Sequence, residues 1–545
     1  MPPKHEQILV DRGLVSQVQL DDALSESRRN GRSLQEILLR DVGVDEQALL
    51  EAFADQYGIR YLDLKSAGID PRATQALSAK LVAHYLIAPI SLSNGTLTIA
   101  VNDPLEFSSS EDIESNFGFR VERVLAKRED ILEAIRRDYG VGAETVERIL
   151  DQRPLEVEEL SMAQSHDLET MAEDASVVRL VNQLLQQAIE ERTTDIHVEA
   201  HADGIVARRR VDGVLYDTNL PRDIRLLYPA IVSRIKLMSG LNIVERRMPQ
   251  DGRARVNIGK NQYDLRVSVV PAMHGEDIVI RILPSTMLFS LAKLGLGKAH
   301  LDQLHALIDE PHGILFVTGP TGSGKSTTLY ACLSRLNTRE RKIITIEDPI
   351  EYELAGITQT QINPQIGLTF AQMLRSMLRH DPDVMMVGEV RDRETAEIAI
   401  QTSMTGHLVL STLHTNDSSS GAVRLMDMTI DPYLITSTVR AFVAQRLVRV
   451  ICTRCKEPVE RDGRTSYEGK GCRECHQTGF HGRVAICEIL PLTDAIRDLV
   501  HKRSSSGEIM KVAVEEGMVT LNRDGWDKVE RGVTTAEEVL RVTRL

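Results

Sequence analysis

Eight consecutive residues constrain this chain more than any others: Gly319-Pro320-Thr321-Gly322-Ser323-Gly324-Lys325-Ser326. They fit GxxxxGK[ST], follow the apolar run 314–317 and precede a helical stretch over 327–336. A strand, a glycine loop and a helix in that order make a phosphate cradle. The glycines let backbone N–H groups wrap phosphate oxygens, and the helix N-terminus adds positive potential. In such a loop Lys325 reaches the β- and γ-phosphates of ATP and the Ser326 hydroxyl ligates Mg²⁺. Thr327 ends the nucleotide-contacting stretch. The surrounding sheet has to be parallel, and the apolar runs 314–317, 343–346, 384–387 and 408–410 alternate with helical stretches as buried parallel strands do. The fold class expected is α/β.

A site of this kind needs an acid at the end of a neighbouring strand to hold Mg²⁺. Val384-Met385-Met386-Val387-Gly388-Glu389 supplies Glu389, with Gly388 where an Asp usually stands. A second acid must then come from elsewhere. The strand ending Ile346-Glu347-Asp348-Pro349-Ile350-Glu351 carries three carboxylates. His407 and His414 flank the apolar run 408–413, and His414-Thr415-Asn416-Asp417 is a polar cluster at a strand end, where α/β ligand sites form. Both histidines are candidates to sense the phosphates. Upstream lie Arg208, Arg209, Arg210, Arg246, Arg247, Arg253, Arg255, Arg266 and Arg281. Arg266 and Arg281 stand out because each sits in an apolar strand; both are candidates to meet a γ-phosphate from a neighbouring domain or subunit. Within the ATPase segment their rivals are Arg391 and Arg393.

Cys452 and Cys455, then Cys472 and Cys475, form two CxxC pairs separated by 16 residues. Pairs at that distance point to one tetrahedral Cys₄ site, zinc first and iron second, closed by protein ligands and therefore structural. Cys332 and Cys487 lie in apolar surroundings and read as core residues.

The first 60 residues echo themselves. Ile8-Leu9-Val10 returns 29 positions later as Ile37-Leu38-Leu39, with Leu20 matching Leu49, Ala23 matching Ala52 and Leu24 matching Phe53. The spacing is helical, so a duplicated helical pair is expected. From Ile87 the period becomes two, Ser93-Asn94-Gly95 reads as a hairpin turn, and a helix closes the unit over 130–139. Residues 155–174 hold seven acids and no Lys or Arg, as a linker would. The resulting division is a helical repeat over 1–62, an α/β part over 63–145, an acidic linker over 146–175, a middle domain over 176–290 and an ATPase domain over 291–545 with a zinc insertion at 450–482.

The formal net charge is −14 and the aromatic content 4%. Both weigh against the competing class, a nucleic-acid motor with a zinc ribbon, which needs a basic track and stacking side chains. The intact Lys325, Ser326, Glu351 and Glu389 weigh against a non-catalytic ATP-binding regulator. The start is polar and no run of 18 apolar residues occurs, so neither a signal peptide nor a spanning helix is expected.

These residues resemble the secretion ATPases of type II secretion and type IV pilus assembly. The resemblance rests on Thr194-Asp195-Ile196-His197-Val198-Glu199, Arg247-Met248-Pro249-Gln250-Asp251-Gly252-Arg253, the 319–327 loop, Glu347 to Glu351 and Leu378-Arg379-His380-Asp381-Pro382-Asp383. Thr405-Gly406-His407 to Asp417 and Ala444-Gln445-Arg446-Leu447 complete it. It implies a RecA-like ATPase domain, a PAS-like middle domain, a small helical and α+β N-terminal domain and a Cys₄ zinc subdomain. It implies a homohexamer on the cytosolic face of a bacterial inner membrane, working with platform and docking proteins of a secretion or pilus machine. By match, Glu389 is the magnesium acid, Glu351 the general base, and Arg266 and Arg281 the arginine fingers; His414, from its place at the strand end, is counted with them as a catalytic candidate. The N-terminal repeat resembles a domain that binds cyclic di-GMP in some relatives. Where those relatives have Leu-Gly, this chain has His5-Glu6 and Leu34-Gln35. Docking to a membrane-protein tail is therefore expected, and cyclic di-GMP and nucleic acid are not.

Overall fold

The structure is a computed structural model that describes residues 7–30, 32–65, 67–104, 118–152, 172–221, 223–285, 289–461 and 464–544. It divides into two compact units, Met1–Leu283 and Pro284–Leu545.

The first unit opens with the repeat. Helices Gln7–Asp11 and Gln17–Asn30 are echoed by Leu34–Ile37, which runs on through the wide turn Leu38–Val42, and by Glu46–Tyr57. The repeated positions are the buried ones: Leu9 with Leu38, Leu20 with Leu49, Ala23 with Ala52. A sheet of β1 (Arg60–Tyr61), β2 (Ala88–Ser93), β3 (Thr96–Val101) and β4 (Arg120–Leu125) follows, in the order β1-β4-β3-β2. The β2–β3 turn uses Asn94 and Gly95 at φ 51° and 76°, the left-handed pair that a two-residue hairpin requires. Helix Arg128–Tyr139 closes the layer. A linker from 146 does not hold at its start. Helix Ala143–Gln152 occupies that stretch, because Glu147 accepts the N–H groups of Ala79 and Lys80 at 2.8 Å each and so caps helix Ala79–Tyr85. The rest of the acidic stretch, as far as 171, lies outside the described residues.

The same unit continues with β5 (Thr193–His201), β6 (Gly204–Val211), β7 (Val214–Thr218), β8 (Gln250–Ile258), β9 (Asn261–Ala272) and β10 (Gly275–Pro284), in the order β7-β6-β5-β10-β9-β8. Helices Ala175–Glu190 and Ile224–Met238 share one core with Ile196, Val198, Leu265, Val267, Ile278 and Ile280. Strand alternation turns the intervening residues to the other face, which carries Asp195, Glu199, Arg266 and Arg281.

The second unit is a seven-stranded sheet with β11 (Gly313–Thr318), β12 (Ile343–Glu347), β13 (Thr358–Gln361), β14 (Val384–Val387), β15 (Leu408–Leu413) and β16 (Val439–Ile451). A hairpin of β17 (Lys456–Arg461) and β18 (Arg464–Gly469) intervenes before β19 (Phe480–Pro491) joins the sheet. The order is β13-β12-β14-β15-β11-β16-β19, and only β19 is antiparallel to its neighbour. Alternate residues feed two cores: Ile314, Phe316, Met385 and Val409 on one face, Leu315, Val317, Met386 and Leu410 on the other. Burial on both faces is why these strands read as unbroken apolar runs.

Candidate active site

The carboxyl ends of β12, β14, β15 and β11 lie side by side, and Glu351, Glu389, His414 and the phosphate loop each follow one of them, whereas His407 does not. After β11 the loop runs through Gly319, Gly322 and Gly324 at φ 149°, 79° and 87° into helix Lys325–Leu336. Gly319 has no alternative: a β carbon there would lie 2.5 Å from Ser323 Oγ. Lys325 Nζ donates to the carbonyls of Gly319 and Pro320 at 2.8 and 3.1 Å, folding back over the loop. Burial pushes its ammonium down to about 8, with Glu389 pulling it up and Arg446 pushing it down. Ser323 Oγ is buried with no hydrogen-bond partner, an orphan suited to an incoming phosphate oxygen. Ser326 is exposed. These residues fit ATP phosphates.

Glu389 follows β14. Its carboxylate receives Arg391 at 2.6 Å and faces His414 Nε2 at 3.2 Å. Gly388 stands where an Asp is usual because the chain passes close to β12. Its N–H donates to the Ile346 carbonyl at 2.8 Å, and a β carbon would lie 3.2 Å from that oxygen. His414 follows β15, where Thr318 donates to the Thr415 carbonyl at 3.0 Å and ties β15 to the start of the loop. His407 is removed from the site. It precedes β15 and so sits at the opposite end of the strand, its Nδ1 bonded to Thr405 and Thr402. Arg393 is also removed, turned to Glu397 at 2.6 Å.

The three acids after β12 separate. Glu347 is 4% exposed, and its oxygens accept from Tyr330, from Thr345 at 2.5 Å and from Gln359 at 3.0 Å. A carboxylate so fully engaged is a structural anchor for the helix after the loop. Asp348 is exposed, and Glu351 is half-buried with its N–H donated to the Tyr330 hydroxyl at 3.2 Å. Tyr330 thus joins the phosphate-loop helix to both glutamates.

In the first unit, Arg281 donates to Asp195 at 2.9 Å and stays more than half exposed. Arg266 lies opposite Arg253 in the β8–β9 ladder.

Three residues were given no role by the sequence: Tyr330, and Gln445 and Arg446, which entered only as part of a matching motif. Arg446 donates to Asn416 at 3.0 Å, and its charge is felt at Lys325. The available signal was one Gln-Arg pair inside the apolar strand Val443-Ala444-Gln445-Arg446-Leu447-Val448.

The four cysteines converge. Cys452 and Cys472 sulfurs are 3.7 Å apart, Cys455 and Cys475 3.8 Å, Cys472 and Cys475 3.7 Å. Four sulfurs around one zinc at about 2.3 Å would lie roughly 3.8 Å apart, so the set fits a tetrahedral metal. The N–H groups of Cys472 and Gly479 point at Cys475 Sγ from 3.1 and 3.3 Å, as they would to support a thiolate. A second close group, His300, Cys487 and Asp524, already has its cation: Lys528 Nζ donates to both Asp524 oxygens at 2.8 Å. Cys332 and Cys487 are buried core residues.

Residues 170–541 match the family described as Type II/IV secretion system protein, and residues 57–145 match the MshEN domain. The type IV pilus assembly ATPase PilB of Myxococcus xanthus is 39% identical over 98% of this chain and 98% of that protein. Type II secretion system protein E of Xanthomonas campestris is 40% identical over 98% and 97%. Among solved structures, the ATPase DotB of Legionella pneumophila superimposes with a TM-score of 0.53 at 24% identity, covering 66% of this chain and 94% of DotB, a likeness of fold.

Proposed function

This chain belongs to the type II/IV secretion system protein family, and from that membership we propose that it is a hexameric cytoplasmic ATPase driving assembly of a pseudopilus or pilus. The observation that carries the reading is the convergence of the 319–327 loop, Glu389 and His414 at one end of one parallel sheet. ATP would lie along the loop with Lys325 at its phosphates. Mg²⁺ would be held by Ser326 and Glu389, where it neutralises charge between the β- and γ-phosphates. Glu351 would take the proton of the attacking water, since Glu347 is already engaged by Tyr330, Thr345 and Gln359. His414 would hold Glu389 and read the phosphate state. Arg266 and Arg281 would approach the γ-phosphate from their own or a neighbouring subunit.

The four cysteines would hold zinc, which closes the β17–β18 excursion and takes no part in hydrolysis. No helix among the described residues is long and apolar enough to cross a membrane, so contact with the inner membrane would run through partner proteins. The N-terminal domain is proposed to dock on one of them. Cyclic di-GMP is not proposed as its ligand, because the Gln35 side chain is buried and donates to Asn102 at 3.0 Å where a glycine would leave space.

The test is Mg²⁺-dependent ATP hydrolysis by the purified chain, with its mass measured in the presence of nucleotide. Lys325→Ala should fall to background and six chains should assemble. A near-normal rate in that variant overturns the assignment of the loop, and DNA-stimulated turnover would favour the nucleic-acid motor instead.

A further inference from the structure

Gln445 on β16 braces the phosphate loop from outside. It is 1% exposed. Its carboxamide N–H donates to the Ser323 carbonyl at 2.9 Å, and its carboxamide oxygen accepts from the Thr328 hydroxyl at 2.7 Å. One bond fixes the loop just before Gly324; the other fixes the first turn of the helix just after it. The same residue bounds both ends of the glycine stretch. A β carbon on Gly319 would lie 2.6 Å from the Gln445 carbonyl oxygen, and one on Gly324 would lie 2.7 Å from its Nε2. A carboxamide buried in an apolar strand costs free energy unless its bonds are made, and an apolar side chain of similar volume would occupy the site without that requirement. What the amide adds is the fixed shape of a loop rich in glycine, whose many alternative conformations would otherwise be lost only when ligand binds.

Building on the ATPase reading, we infer that Gln445 is a positioning residue that holds the phosphate loop in its nucleotide-receiving shape before nucleotide arrives. It acts through Ser323 and Thr328 and does not touch the reacting atoms. Its effect belongs to binding, because a preorganised loop lowers the ordering cost that ligand would otherwise meet.

The experiment uses the full chain and measures MgADP binding by calorimetry together with steady-state MgATP turnover. Gln445→Met keeps the volume and removes both bonds. It should raise the MgADP Kd and the MgATP KM roughly tenfold while leaving kcat within about twofold. Thr328→Val removes one bond and should raise both by a smaller factor. The double variant should be no weaker than Gln445→Met alone, because both changes act through one contact. Unchanged Kd and KM in Gln445→Met overturn the inference, as does a loss confined to kcat. If Gln445→Met does not fold, Thr328→Val decides: an unchanged KM there overturns it. A wild-type chain that binds no MgADP overturns the nucleotide reading itself, whereas wild-type binding with unaltered variants overturns only the role of Gln445.

Discussion

At the phosphate loop the decisive quantity is the charge on Lys325, which burial holds down to about 8. A phosphate beside it favours the ammonium and must raise that value. Well below pH 8 the lysine is charged both with and without nucleotide, and affinity is at its maximum. Above pH 8 the empty site has lost the proton and binding must take one up. MgADP affinity should therefore fall as pH rises past 8, by roughly tenfold per unit until the bound-state value is passed. Calorimetry in buffers of different ionisation enthalpy should show proton uptake at pH 9 and none at pH 6.5 (about one and a half units below the free value). Lys325→Arg should flatten the dependence, and a slope that survives it would contradict this account. The glutamates give a second expectation. Glu351→Gln should bind MgATP and fail to hydrolyse it, since an amide cannot accept the water proton. Glu347→Gln should instead lower stability by about 1–3 kcal/mol, because an amide keeps one accepting oxygen and so cannot accept both from Tyr330 on one side and from Thr345 and Gln359 on the other. Unfolding midpoints and turnover measured on both variants separate the two roles; normal turnover in Glu351→Gln would move the base elsewhere. The sequence could name Lys325, Glu389 and the cysteines because each belongs to a local pattern. It could not tell Glu347 from Glu351, because the difference lies in Tyr330 and Gln359, 17 and 12 residues away.

Among elements, those with a strong period were legible. The repeated helices, the β2–β3 hairpin and the buried strands β11, β12, β14 and β15 follow directly from spacing. Strand β8 did not, since as an edge strand its inward face is only half-buried, and Gln250, Gly252 and Ala254 dilute the apolar signal of Val256 and Ile258. Helix Ile224–Met238 carries Pro229 inside it, which reads as a break in the sequence. Among the described residues β17 and β18 pair with each other and not with the main sheet, so a metal held by the four cysteines would add cohesion that the sheet does not supply. Elemental analysis should find about one zinc per chain. Cys472→Ser should lower both zinc content and the melting temperature, and full zinc in that variant would refute the site. Iron in its place would colour the protein and show a charge-transfer absorbance.

For the whole molecule the question is where the arginines act. Asp195 holds Arg281 on the face of the middle sheet opposite its helical core, and Arg266 shares that face. An arginine at the γ-phosphate is worth about 10³–10⁵ in rate in other phosphate-loop enzymes. Arg266→Ala and Lys325→Ala should each abolish turnover when uniform. Mixed rings should regain part of it if the arginine serves a neighbour, because some interfaces then hold both intact halves. Mixing that restores nothing would place the arginine in its own subunit, and normal turnover in both single arginine variants would turn attention to Arg391. One strand bears on how such a ring could do work. β16 carries Gln445 against the loop, receives Glu538 of the helix Ala536–Thr543 at Arg449, and runs straight into Cys452. From Gln445 to Cys452 is roughly 23 Å of extended chain. Over that span the strand has left β11, whose ladder ends at Ala444, and pairs with β19 along one edge, with an irregularity between Arg449 and Ile451. The cysteine cluster and the phosphate loop are thus joined by one unbroken piece of chain, and a displacement of either end has a covalent path to the other.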